Sequence, residues 1–490
     1  MKKNEIFDDI KKYPEVMSRR DAIKFLGISP IAASVIAGTT IGSSSAMAST
    51  DKQIKIVIVG GGMGGIISAV RLSSAAKNAQ ITLIAPNQTH LYQPGQVFMA
   101  AGLYTEDDIK KDNADFVPST VKWLKDEVTV FDPDNNKITT LYNGDVTYDF
   151  LVVATGLEYD YERIEGMSKE LVGQKGISSV YLNDQVAGTA RGGVATWQWF
   201  QDVREAATKA SEQNPIKVIY TQPDTAIKCG GAPQKMLYLS ADYLRGNGPG
   251  GGDDVSKNAV LSFCKQGTTL FSLPEYNATL LEEVTPMYGN ITDKFNHVLR
   301  KIDSDKKIAT FENTYTSKGA YDEDLEEYTQ VNHTEMVEMP YDFIHVVPPM
   351  RASKALEDSP LAWQKGSAKG LLECDQYTLQ HRRYKNVFGI GDVLGIPKGK
   401  TGGSTRHQGP IMTQNLISAI EGKELQAKFD GYTVCPVKTQ YGQIMMAEFD
   451  YKGLAPSFPL DPARPRWVWW EFDIYMLKPM YWHLMLRGLM

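Results

Sequence analysis

The chain has 490 residues, 42% of them hydrophobic and 22% charged, with a formal net charge of −6. That length calls for two or three domains, and that balance of apolar and charged residues excludes a disordered chain. The acidic charge argues against nucleic acid as a partner, and four scattered cysteines without a C-x-x-C pair argue against a zinc or iron–sulfur site.

In chain order, the first signal is Ser18-Arg19-Arg20-Asp21, followed by an apolar stretch to Gly42 and by Ala46-Met47-Ala48, a small-x-small cleavage pattern. This resembles a twin-arginine export signal, so residues 1–48 are set apart from the fold and a periplasmic location is expected. Ile54–Val59 then reads as a strand buried on both faces. It runs into Gly60-Gly61-Gly62-Met63-Gly64-Gly65 and a helix-like Ile66–Leu72. Gly60, Gly62 and Gly65 fit G-x-G-x-x-G. Between a strand and a helix, that spacing lets backbone N–H groups and the helix N-terminus meet a pyrophosphate. The next strand, Gln80–Ile84, ends at Ala85 where an acidic residue would hold a ribose; Asn87 or water is the expected substitute.

Two later strands end in glycine, "YDFLVVATG" with Thr155 and Gly156, and "NVFGIGDV" with Gly391 and Asp392. Together with the first loop they point to FAD, with Asp392 toward the ribityl chain. Val128 in "KDEVTVFD" is a candidate for a backbone contact to adenine, or an ordinary strand valine. The order makes the FAD domain discontinuous, 52–159 resumed at 369–422, around a second Rossmann-like domain at 160–368. That second domain has its strand, Ile216–Tyr220, but no glycine cradle. "TQPDTAIKCGGAP" stands there instead, followed by helix-like Gln234–Leu244. Pro223 and Asp224 disfavour a second dinucleotide, and with it NADH as donor. The loop offers Cys229, beside Lys228 and ahead of a helix, a setting that favours thiolate; a small structural hydrophobe is the alternative.

"IKCGGAPQKMLYLSADYLR", "HLYQPGQVFMAAG", "HVVPPMRA", "GYTVCPVKTQYGQIMMAEFDY" and "MLKPMYWHLMLRG" together resemble the sulfide:quinone oxidoreductases, in the branch that includes the mitochondrial enzymes. The resemblance implies an α/β flavoprotein with two Rossmann-like domains and a C-terminal amphipathic membrane-interface segment. It implies oxidation of sulfide through a persulfide at Cys229, with electrons passing through FAD to a membrane quinone. It also implies Gln93 as an FAD contact and Lys400 as a cation near the flavin. His407 is either a proton relay or an ordinary hydrogen-bonded histidine. The family's second cysteine is expected directly after Gly391-Asp392, where Val393 stands; Cys264, Cys374 and Cys435 read as structural, or as a displaced partner of Cys229 where the fold brings Cα atoms within about 7 Å.

That gap keeps other readings open. Electrons could go to a periplasmic c-type cytochrome, or the chain could be a sulfur-binding flavoprotein without turnover. An NADH:quinone oxidoreductase is opposed by the absent second glycine loop. A homo-oligomer stays open. The C-terminal region, 423–490, ends in a Trp-, Tyr- and Met-rich segment that suits a membrane surface and a quinone, or else a partner or the core. Pro479 is expected to split it into two short pieces. Asp303–Pro340 reads as a solvated insertion or hairpin.

Overall fold

The computed structural model describes residues 53–490 apart from 185 and 323–326. The candidate export signal lies outside the described residues.

A five-stranded parallel sheet carries the first glycine loop. Its order is Val387–Gly389, Phe150–Val153, Lys55–Val59, Gln80–Ile84, Lys122–Leu124. The central strands are apolar because they are buried on both faces, leaving no solvent side to demand alternation. Val387–Gly389 pairs with Phe150–Val153 across nearly half of the chain, so the sheet is discontinuous in sequence. The helix Met63–Ala75 follows the loop, and Gly402–Ile420 packs beside it.

A second parallel sheet has the order Ile177–Ser178, Phe343–His345, Ile216–Gln222, Ala259–Lys265, Ile291–Phe295. Its helix, Ala232–Leu244, is buried along its whole length. The insertion is an antiparallel sheet of His297–Asp303, Ile308–Asp322 and Glu327–Pro340, with the last two forming a long hairpin.

Past the second sheet the chain returns across both domains. The hairpin Thr433–Gln440 and Gln443–Phe449 lies against the Ala232–Leu244 helix. One helical run then extends from Trp467 to Met485, with π-helical turns at Phe472–Leu477 and Tyr481–Met485. This corrects the expected break at Pro479: the helix passes through it. Wider turns flank the proline and relieve the clash its ring would make in a regular α-helix. Trp469, Trp470, Met480, Tyr481, Trp482 and Met485 are buried, while Trp467, Tyr475 and Met476 are exposed. The tail therefore packs on the core with one face and shows aromatic and thioether groups on the other. Among the described residues, no helix is long and apolar enough to cross a membrane.

Four of the seven histidines sit in the interior as neutral rings. Burial holds His90 and His381 down to about 4, and His345 and His407 to about 3. His345 Nε2 accepts the Val180 N–H at 3.0 Å, and His381 Nδ1 accepts the N–H groups of Arg383 and Tyr384 at 3.1 Å. Unfolding releases these rings to their ordinary affinity near pH 6.5. Their contribution is therefore complete above that value and is lost as the pH falls toward 4. Stability measured by denaturant titration should drop between pH 6.5 and 4 by roughly 1.4 kcal/mol per pH unit for each ring kept neutral. A flat profile over that window would show that the rings accept protons in the fold.

Candidate active site

A cavity of about 800 Å³ runs from the first glycine loop, past Cys229, to the C-terminal helix. Every residue assigned to the cofactor from sequence, apart from Gly65, lines it: Gly60, Gly62, Gln93, Val128, Thr155, Gly156, Gly391 and Asp392. Gly65 serves the loop from behind. A Cβ there would lie 1.7 Å from the Gly60 carbonyl oxygen, so only glycine lets helix and strand approach. At Gly60, φ is +116° and a Cβ would meet the Ala154 carbonyl oxygen at 2.3 Å. A Cβ on Gly62 would meet nothing within 4 Å, so the loop is open on that side.

These residues fit FAD. The cavity has the loop at one end and the N-terminus of the Gly402–Ile420 helix on its wall. Thr155 Oγ1, Tyr92 Oη and Gln96 Oε1 are buried on that wall without a hydrogen-bond partner, as expected for atoms that meet a bound group. The Asn87 amide is already used, donating to the carbonyls of Gly61 at 3.2 Å and Thr89 at 3.3 Å. Glu127 and Glu158 are acidic groups on the same cavity, which Asp126 also lines with its carboxylate already accepting from the N–H groups of Glu127, Tyr142 and Asn143.

Lys400 lines the cavity, but its ammonium is tied down, donating to the carbonyls of Asp392 at 2.6 Å and Leu394 at 2.5 Å. Burial lowers its pKa to about 8, against the opposing pull of Asp392. The Lys400 carbonyl accepts the Cys229 N–H at 3.0 Å, which fastens the cysteine loop to the flavin-domain loop. Gln93 takes a role that sequence did not suggest: its Oε1 accepts from Lys228 Nζ at 2.5 Å. Lys228 also lies 4.6 Å from the centre of the Tyr159 ring. Asp224 is paired with Arg300 at 2.8 Å. His407 stacks on Tyr432 with centroids 4.0 Å apart and takes a 2.9 Å contact from Arg406. A ring held neutral to about pH 3 suits the hydrogen-bonded role better than the relay.

Cys229 has φ of +51°, in the left-handed region, which a non-glycine residue rarely adopts. Its sulfur accepts from Lys235 Nζ at 3.3 Å. It also interacts directly with the Cys435 thiol, and this contact, more than burial, sets the two sulfurs apart. Cys229 is held well below the ordinary thiol range by the Cys435 hydrogen bond, by Lys235 and by Lys438. Cys435 is held well above it. Lys235 beside the Cys229 sulfur, together with the nearby Cys435 thiol, favours the thiolate form of Cys229. Gly231 makes it possible, since a Cβ there would stand 2.5 Å from Cys435 Sγ.

The structure places Cys435, one of the three cysteines read as structural or as a displaced partner, beside the Cys229 loop. Val393, the expected site of a second cysteine, is fully buried in the hydrophobic core of the FAD domain. Cys374 packs in that same core, and Cys264 is buried in another. Sequence reading also missed Lys235, one turn into the helix after Cys229, and the buried pair Lys438–Asp473, whose side chains are 3% and 2% exposed.

Fold and site define a flavoprotein oxidoreductase with FAD as its cofactor. Residues 54–185 match the family described as Pyridine nucleotide-disulphide oxidoreductase. The chain is 35% identical over 456 residues to the mitochondrial sulfide:quinone oxidoreductase of Dictyostelium discoideum, covering 93% of this chain and 90% of that one. It is 30% identical to the corresponding protein of Mus musculus, covering 91% and 89%. Among solved structures, the sulfide:quinone oxidoreductase of Aquifex aeolicus superposes with a TM-score of 0.65 at 18% identity, covering 89% and 92%, which shows a common fold. This chain belongs to the sulfide:quinone oxidoreductase family.

Replacing Lys235 with Met removes the cation in contact with the Cys229 sulfur. The pH profile of iodoacetamide alkylation at Cys229, followed by peptide mass, should move at least one unit alkaline, a roughly tenfold slower reaction at neutral pH. An unmoved profile would mean that Lys235 does not hold the thiolate.

Proposed function

We propose that this protein oxidises sulfide at the Cys229–Cys435 pair and passes the electrons through FAD to a quinone at the membrane surface. The proximity of those two sulfurs, with Cys229 on the wall of the cofactor cavity, carries the reading. In the oxidised form the two sulfurs are joined as a disulfide. Hydrosulfide attacks the Cys435 sulfur, the S–S bond breaks, and Cys229 leaves as thiolate. Cys435 then holds the persulfide, R–S–SH.

The choice of sulfur follows from the electrostatics. The better leaving group is the thiol with the lower pKa, and Lys235 Nζ, 3.3 Å from the Cys229 sulfur, favours that state at Cys229. This moves the persulfide from the position expected from sequence to its neighbour. A nucleophilic acceptor then takes the outer sulfur and leaves Cys435 as thiolate. The two sulfurs rejoin and give up two electrons. Bound FAD would take that pair from sulfur and hand it on. Cys229 lines the cavity and so stands on the cofactor's side of the pair.

The quinone end is the part of the cavity walled by Phe472, Leu477, Met480, Tyr481 and Met485. An apolar wall that belongs to a helix showing Trp467, Tyr475 and Met476 outward supports entry from a membrane surface. The basic and apolar pattern of residues 18–48 supports export by the twin-arginine route with FAD already bound, and a periplasmic site of action.

Anaerobic mixing of the mature protein with sulfide should bleach the flavin, and a soluble quinone should restore its colour over many cycles. Cys229→Ser and Cys435→Ser should each keep FAD and lose the bleaching. Val393→Cys should leave the rate unchanged, because that side chain is in the core. Reoxidation by a c-type cytochrome but not by quinone would favour the cytochrome as acceptor. Normal turnover in Cys435→Ser would overturn the pair.

A further inference from the structure

The C-terminal helix reaches the first glycine loop through an unbroken chain of buried hydrogen bonds. Tyr481 Oη lies 2.6 Å from His90 Nε2, and His90 Nδ1 lies 2.8 Å from Asn113 Oδ1. Asn113 Nδ2 donates to the Gly61 carbonyl at 3.0 Å and to the Asn87 carbonyl at 2.9 Å. Direction follows from the far end. Both hydrogens of the Asn113 amide go to carbonyls, so its oxygen can only accept. His90 therefore carries its proton on Nδ1 and is neutral, and its Nε2 can only accept from the Tyr481 hydroxyl. His90, Asn113 and Tyr481 are 2%, 0% and 5% exposed, so water does not compete for these positions.

The surrounding packing is aromatic and tight. Tyr92 meets Tyr481 with centroids 4.8 Å apart, and Phe116 stacks on Trp482 at 5.6 Å. Gly61 belongs to the loop that lines the cofactor cavity, and its carbonyl also takes the Asn87 amide.

We propose that Tyr481 is a positioning residue for FAD, fixing the glycine loop through His90 and Asn113, so that the C-terminal helix serves as a latch on the cofactor. The proposal rests on FAD binding alone and is independent of the substrate and of the electron acceptor. Removing the hydroxyl leaves His90 Nε2 buried without a donor and frees the imidazole to turn. Asn113 then loses the partner that holds its oxygen, and the Gly61 carbonyl loses an oriented amide.

The test is made on the holoprotein. Tyr481→Phe keeps the ring and its packing, and should speed FAD release, read as recovered flavin fluorescence after dilution, by on the order of tenfold. Tyr475→Phe, on the exposed face of the same helix, should leave the release rate unchanged. In a double-variant cycle with Asn113→Ala, the combined effect should fall well short of the product of the single effects, because the tyrosine hydroxyl reaches the glycine loop through the asparagine. Multiplying effects would overturn the proposal. Should Asn113→Ala not accumulate as folded protein, amide exchange in Tyr481→Phe decides. The glycine-loop peptide should exchange faster while the Ala232–Leu244 peptide does not. Faster exchange confined to the tail, or FAD release unchanged within twofold, would also overturn it.

Discussion

A thiolate inside a protein needs a donor and a cation within reach, and the chain is folded so that Cys229 has both. Lys235 supplies the cation from the first turn of the following helix. Cys435 supplies the donor from a strand far along the sequence. Cys435 could not approach without Gly231, where any side chain would displace its sulfur. The left-handed backbone at Cys229 turns the sulfur toward this meeting point, and its cost is offset by the N–H bond to the Lys400 carbonyl. One small loop thus joins the second Rossmann-like domain, the flavin domain and the C-terminal hairpin.

The charges behind the thiolate extend the same logic. Lys438, on the strand of Cys435, is paired with Asp473 of the C-terminal helix and lies 4.5 Å from the centre of the Phe98 ring. Burial and the neighbouring Lys235 push the Lys438 ammonium down, and Asp473 opposes them. A buried pair of this kind is costly to break, about 3–5 kcal/mol when one partner is lost, and adds little beyond an apolar pair of the same shape. Its value here is in placing a positive field beside sulfur and in fixing where the helix sits.

Parts of this were legible in sequence for local reasons. The glycine loop is contiguous, bounded by a strand and a helix, so spacing alone carries it. Cys229 was visible because its loop occupies the place of a second glycine cradle. Cys435 was not, because the contact depends on where a distant hairpin lands. A resemblance that put the partner after Asp392 pointed into the core instead. Gln93, read as a cofactor contact, lines the cavity, and its carbonyl oxygen also accepts from Lys228, a contact between domains that no local pattern encodes. Pro479 was read as a break because a regular α-helix cannot hold it, and the helix answers with wider turns.

Those wider turns bear on the two duties of the tail. Phe472–Leu477 and Tyr481–Met485 present more residues per turn to one side than a regular helix would, and the cavity wall draws on both. Asp473 points to the sulfur end through Lys438, and Tyr481 points to the glycine loop through His90, so a single helix touches the chemistry at two places. Between and behind these contacts it leaves Trp467, Tyr475 and Met476 facing outward. A helix that only anchored the protein would not need a buried carboxylate, and one that only filled the core would not leave such groups in water. The two faces together make the helix a wall of the cofactor cavity on one side and an exposed aromatic and thioether surface on the other.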